Sequence, residues 1–384
     1  MKISKPMKKW LYSTITLFSI SVLAACSTTS SATSNSSSAT TSSSVVTISS
    51  ASTTDTSSSI DWSALPTTEV TLSNDGLKIT EGGTYILTGS TTAGVTVETD
   101  ANVRIILAGA TISSSDTAAI NVISADNVEI ELQDGTENTV KDSSNHSDTN
   151  IEGAIHVEAD LTITGNGSLT VEGNFQDGIV STDDLVVNSG NIIVTAVDDG
   201  IRGKDSLTIN GGTINVTAGG DGIKSTNDTD TTKGYTTITG GDITVRAGDD
   251  AIKAETSLII DGGTITVPES VEALEGTNIT INGGTIDVYG SDDAINAAST
   301  TSSEIFIKVT GGDLKVAVGS GDTDAFDANG NLYISGGTIA VTAQSAFDFD
   351  GTAELTGGTV TVNGEQITQI VATGPGAGGR GGGW

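Results

Sequence analysis

Cysteine occurs once in this chain of 384 residues, at Cys26, and proline four times against 48 glycines. A single cysteine excludes an internal disulfide, so stability must come from packing or from bound metal. The two histidines, His146 and His156, offer no spacing for a Ser-His-Asp arrangement, and His156, at an outward strand position, reads as solvated. Aromatic residues are 4% of the chain, which argues against a stacking platform for sugars. Positive charge is scarce too, with 16 Lys and Arg against 48 Asp and Glu and a formal charge of -32. That surface repels nucleic acid and anionic membrane and favours cations or cation-bridged anions. Beyond the N-terminal stretch no segment is long and apolar enough to span a bilayer.

What is present is patterned. Apolar residues make up 35% of the chain, with Ile and Val at regular positions, which is neither disordered nor collagen-like. Lys2, Lys5, Lys8 and Lys9, an apolar stretch over 11–22 and the box Leu23, Ala24, Ala25, Cys26 read as a lipoprotein signal over 1–26. Cys26 is then the lipidation site, and the expected location is extracellular, anchored to the cell membrane only through that lipid. Residues 27–60, nearly all Ser, Thr and Ala, read as a disordered tether, and the Gly-rich 373–384 as a disordered tail. One domain fills 61–372.

Within it Gly-Gly followed by Thr or Asp recurs, with the second glycines at Gly212, Gly241, Gly263, Gly284, Gly312, Gly337 and Gly358. The steps are 29, 22, 21, 28, 25 and 21 residues, giving a unit of 21–22. Short alternating runs separated only by Gly-rich corners predict an all-β fold, a single-stranded parallel β-helix with three short strands per rung. Ile209, Ile214, Val216 and Ile223 should point inward. The double glycines serve the corners, where positive φ and close backbone approach are needed. The longer steps come from insertions over 226–235 and 298–304, thrown out from one corner and rimming a site.

The acids keep the same beat. Asp177, Asp199, Asp221, Asp250, Glu272, Asp293 and Asp324 should stack in one column, with Asp198, Asp249 and Asp292 just before it and Asp322, Asp327 and Asp348 beside it. Unit charges one rung apart repel by about 3 to 4 kcal/mol at an effective dielectric of 20. Two readings of the compensation stand. Arg202, Lys224 and Lys253, three positions beyond successive column acids, can form an ion-pair ladder. From Glu272 onward the same position holds Glu275, Asn296, Asp327 and Asp348, where a hard divalent cation, calcium, fits better.

Residues 68–365 resemble a family of secreted bacterial carbohydrate-binding proteins similar in fold to polysaccharide lyase family nine. The likeness rests on Gly83–Gly89, Val103–Gly109, Ala118–Val122, Val128–Leu132 and the ordered Gly-Gly-Thr and Asp-Gly-Ile repeats. It implies a right-handed, calcium-containing β-helix that binds polygalacturonate, pectin-like or cellulosic glycans. The lyases' calcium cluster is matched in part by Asp198 and Asp199 with Asp177, but Arg202 replaces its last acid; Asp324 and Asp327, with Asp293 and Asp348, match more completely. Arg202, Lys224, Lys253, Tyr235 and Tyr289 are the expected substrate contacts, Lys224 or Lys253 being the candidate base of a lyase. The leading expectation is a monomeric cell-surface binder of acidic polysaccharide. A calcium-dependent lyase of uronate polymers and a non-catalytic adhesin or spacer are the alternatives.

Overall fold

In the computed structural model the described residues are 60–373 apart from 300, 301, 303 and 322. The signal segment, the tether up to residue 59, Cys26, Asp322 and the tail from residue 374 lie outside them.

The described residues form a 34-stranded sheet system in which each strand pairs with the strand one rung on. Three columns result, all pairings parallel but the last. The first runs from Leu77–Ile79 through Asp177–Ser181, Ile201–Gly203 and Ile223–Ser225 to Ser345–Phe349. The second carries Leu185, Leu207, Thr236 and Leu258 in register, and the third Ile192, Ile214, Ile243 and Ile265. This is the parallel β-helix that the period calls for.

The strand alternation explains the core. Ile209, Ile214, Val216 and Ile223 are all 2% exposed or less, and each stacks on an apolar residue above and below. In the first column the ladder reads Ile201, Ile223, Ile252, Leu274, Ile295, Phe326 and Phe347. Each such side chain contributes about 1.5 to 3 kcal/mol through burial. The two phenylalanines stack with ring centroids 5.6 Å apart at the C-terminal end.

The two glycines of each pair have different reasons. Gly212 has φ of 97°, left-handed backbone that β-carbon-bearing residues resist. Its neighbour Gly211 has no such requirement, but a β-carbon there would lie 2.9 Å from the carbonyl oxygen of Asn188 on the preceding rung. The C-terminal end is closed differently. Asn363 and Gly364, with φ of 52° and 86°, turn Glu365–Ile367 back antiparallel onto Thr359–Val362. The returning strand covers the open edge of the third column's last strand.

Candidate functional site

The corner before the first column sets the acidic column. Position two of the Asp-Gly-Ile step must be small, since a β-carbon on Gly200 would meet Val216 Cγ1 at 2.3 Å and the Gly222 carbonyl oxygen at 2.4 Å. The acid before it therefore sits at the corner, pointing along the stack. Asp199 donates its backbone N–H to Asp177 Oδ1 at 3.1 Å, and Asp221 to Asp199 Oδ1 at 3.0 Å. Asp250 repeats this with Asp221 at 3.0 Å, and Asp324 with Asp293 at 2.7 Å. The column is thus part of the backbone hydrogen-bond system as well as a row of charge. Asp198, Asp249 and Asp292 stand outside it, exposed to solvent.

The remaining carboxylate oxygens of the earlier rungs are ion-paired. Arg202 bridges Asp177 Oδ2 at 2.9 Å and Glu152. Lys224 Nζ joins Asp199 Oδ2 at 2.5 Å and Asp221 Oδ2 at 3.0 Å, and Lys253 Nζ joins Asp250 Oδ2 at 2.8 Å and Glu275. The ion-pair ladder therefore exists over these rungs. Burial alone would lower the Lys253 ammonium, but its hydrogen bonds to Asp250 and Glu275 outweigh that and hold it well above the ordinary lysine range. Lys224 is raised in the same way, burial being outweighed by Asp221 and Asp199. Ammonium groups so held are poor general bases.

Beyond Lys253 the compensation stops. Glu272, Asp293, Asp327 and Asp348 make no ion pair among the described residues. Burial, Asp250 and Asp293 push Glu272 up to about 7 against a hydrogen bond from Asn296. Burial with Asp292 and Asp324 raises Asp293 to about 6, against the backbone N–H of Asp324. Burial, then repulsion from Asp293, Asp348 and Asp324, raises Asp327 to about 7. Asn296 donates to Glu272 Oε2 at 2.9 Å, but its own Oδ1 is buried without a donor. An orphaned neutral oxygen among strained carboxylates is a donor set suited to a hard cation. The tightest acid convergences among the described residues lie slightly earlier, at Asp221, Asp249, Asp250 and at Asp250, Glu272, Glu275, each with oxygens within 4.8 Å of one another. Lys253 already bridges two members of the second group.

The outward face of the first column, three residues past the acids, is flanked by the insertions. In register it reads Asn121, His156, Val180, Arg202, Lys224, Lys253, Glu275, Asn296, Asp327 and Asp348. Where no insertion intervenes, one strand runs through the next corner, as in Ile252–Ile260 and Leu274–Ile281. These two rungs make the floor of a cleft of about 580 Å³ with Lys253, Glu275 and Thr277 on it. Asp228 and Thr231 of one insertion, and Ser299 and Ser302 of the other, form its walls. Both insertions leave the same corner of the coil, as expected, and they flank this cleft.

The tyrosines do not join this site. Tyr235 begins a strand of the second column and Tyr289 lies in the third, each 36% exposed, and neither lines the cleft. His156 differs from expectation as well. His156 is outward in register yet only 3% exposed, with Asn150 and Glu152 of the preceding segment beside it around one small cavity. His146 is also buried, its Nε2 3.0 Å from Asp142 Oδ2 and its ring stacked on Phe175 at 4.3 Å. Solvation is thus replaced by cover from the loop between Glu137–Lys141 and Gly153–Val157. The unusual length of that connection was the available signal.

Comparison with known proteins agrees with this geometry. Residues 73–325 match a family model described as carbohydrate-binding domain-containing protein. A protein of that description from Acetivibrio thermocellus is 35% identical over 135 residues, a match covering 33% of this chain and 47% of the relative. The chain thus spans about half the length of that curated relative. The solved structure of a polysaccharide lyase-like protein from C. thermocellum, a gadolinium derivative, superposes with a TM-score of 0.51 at 35% identity. It covers 52% of this chain and 90% of that one. With the family model spanning more than half its length, the chain belongs to the carbohydrate-binding domain family.

Proposed function

We propose that this protein is a cell-surface lipoprotein, anchored through Cys26, that binds acidic polysaccharide of the polygalacturonate or pectin type along the outward face of its first strand column. Calcium held by the later rungs is part of that reading. The observation that carries it is the set Glu272, Asp293 and Asp327, half-buried, without an ion pair among the described residues and raised to about 6 or 7, beside the orphaned Oδ1 of Asn296. These oxygens, with Asp348 and Asp324, are the residues that would hold the ion, and Asp322 is the neighbouring acid outside the described residues. When bound, the cation supplies the positive charge that an acidic surface otherwise lacks toward an acidic polymer.

The chain's own groups do the rest. Lys253 lies on the cleft floor with its ammonium shared between Asp250 and Glu275, the insertion hydroxyl of Thr231 offers a hydrogen bond to sugar, and the rigid stack keeps these groups in fixed spacing. A lyase is the less favoured reading, since Lys224 and Lys253 are both held protonated by their acids.

Retention on immobilised polygalacturonate, with calcium and with excess chelator, tests the proposal. Chelator-sensitive retention without ultraviolet-absorbing unsaturated products is expected. Undiminished retention in chelator would refute the calcium reading, unsaturated products would establish the lyase, and no retention on any glycan would leave a spacer.

A further inference from the structure

On the N-terminal side of the 226–234 insertion the same outward face holds a second cavity, of about 230 Å³. His156, Glu152, Glu158, Arg202, Lys204 and Thr226 are among its lining residues. In register His156 lies four rungs before Lys253, about 19 Å at a rung spacing near 4.8 Å. The cavity is thus separate from the cleft that Lys253 floors.

His156 is 3% exposed and has no hydrogen bond to any described residue. Its Nδ1 is sealed from solvent without a partner. Burial and the Arg202 charge hold the imidazole down to about 4, so the ring is neutral at pH 7. An orphaned buried N–H is a rarer defect than an unused acceptor. The proton therefore belongs on Nε2, which leaves Nε2–H as the donor that an occupant of the cavity can reach.

The charges around the cavity cancel. Glu152 and Glu158 stand against Arg202 and Lys204, whereas the larger cleft sets Asp228, Glu255 and Glu275 against Lys253 alone. Arg202 is committed to Glu152 and Asp177, while Lys204 makes no ion pair among the described residues. Donors on His156 and Lys204 thus share the cavity lining with acceptors on Glu152 and Glu158. Hydroxyl groups, which both donate and accept, match that alternation; a carboxylate only accepts and would confront two glutamates. The volume equals that of about eight waters, on the scale of one sugar ring.

We propose that this cavity is a second carbohydrate subsite, one that takes an uncharged sugar ring through its hydroxyls and needs no metal. It deepens the reading of this face as a glycan-binding surface and rests on it. The polymer bound would then carry neutral units as well as acidic ones, the neutral units lying toward the N-terminal rungs.

The chain has two histidines, so ring resonances can be followed one by one, with His156→Gln assigning them. The full chain in excess chelator is titrated with neutral gluco- and galacto-oligosaccharides and, separately, with oligogalacturonate. Neutral sugars should move the His156 ring signals saturably and leave those of His146 unmoved. Lys204→Ala, a change at an exposed residue, should weaken that titration about tenfold. No movement of His156 with neutral sugar, or movement with oligogalacturonate alone, overturns the subsite. Calcium-dependent retention on polygalacturonate with an unmoved His156 would refute the subsite while the proposed function stands. A moving His156 without such retention would do the reverse.

Discussion

The side chain of Asp221 accepts the backbone N–H of Asp250 at 3.0 Å, tying two successive rungs together at their acidic corner. The same carboxylate also holds Lys224, through Oδ2 at 3.0 Å. One acid thus satisfies a buried backbone donor on one side and a cation on the other, which explains how so charged a column can sit within a stack.

Replacing that acceptor should separate the two roles. Asp221→Ala leaves the Asp250 N–H without a partner and should cost about 1 to 3 kcal/mol. Asp221→Asn keeps an oxygen for that N–H and should cost less. Denaturant unfolding of both variants checks this; equal losses would show that charge alone matters at this position.

Lys253 has two acids to itself, Asp250 and Glu275, and sits on the cleft floor. Lys253→Met removes the shared countercharge from a partly buried site, where breaking a pair is costly, about 3 kcal/mol or more. The variant should unfold at lower temperature in chelator and recover much of the loss with calcium, because the ion can replace the ammonium. A loss that calcium leaves unchanged would mean that these oxygens do not accept a metal.

The later rungs predict a pH dependence. Glu272, Asp293 and Asp327 titrate near 7, 6 and 7 in the fold, above their ordinary values of 4.5, 3.8 and 3.8. The folded chain therefore binds more protons than the unfolded one between about pH 4 and 7. Their contribution to stability is fully present below that window and lost as pH rises through it. In chelator the melting temperature should fall from pH 5 to pH 8, and Glu272→Gln with Asp327→Asn should flatten the fall. Added calcium should raise the melting temperature at pH 8 far more than at pH 5, since its ligands must be ionised. An unchanged slope in the double variant would assign the pH effect to other groups, Asp177 and Asp250 among them, which burial raises as well.

The repeat was readable because every rung writes its geometry into the chain. Gly212 needs positive φ, Gly211 needs room, and Ile223 needs an apolar neighbour one rung away, so period, corner and inward face all appear in the letters. The column acids were legible for the same reason. Their pairing to backbone N–H groups was not, because the direction of Asp221 at the corner depends on where the next rung lies. His156 and its cavity were hidden for a different reason. Strand alternation marks that position as outward, and only the path of the preceding loop makes it buried. Tyr235 and Tyr289 show the converse: residue type suggested sugar contact, but they fall on separate columns.

Calcium binding at the uncompensated rungs is the claim on which the account turns, and equilibrium calcium titration at pH 7.5 tests it most directly. The protein freed of metal should bind calcium, and Asp293→Asn with Asp327→Asn should weaken that binding at least tenfold while the fold persists. Calcium binding that is absent, or equally tight in the double variant, would contradict it.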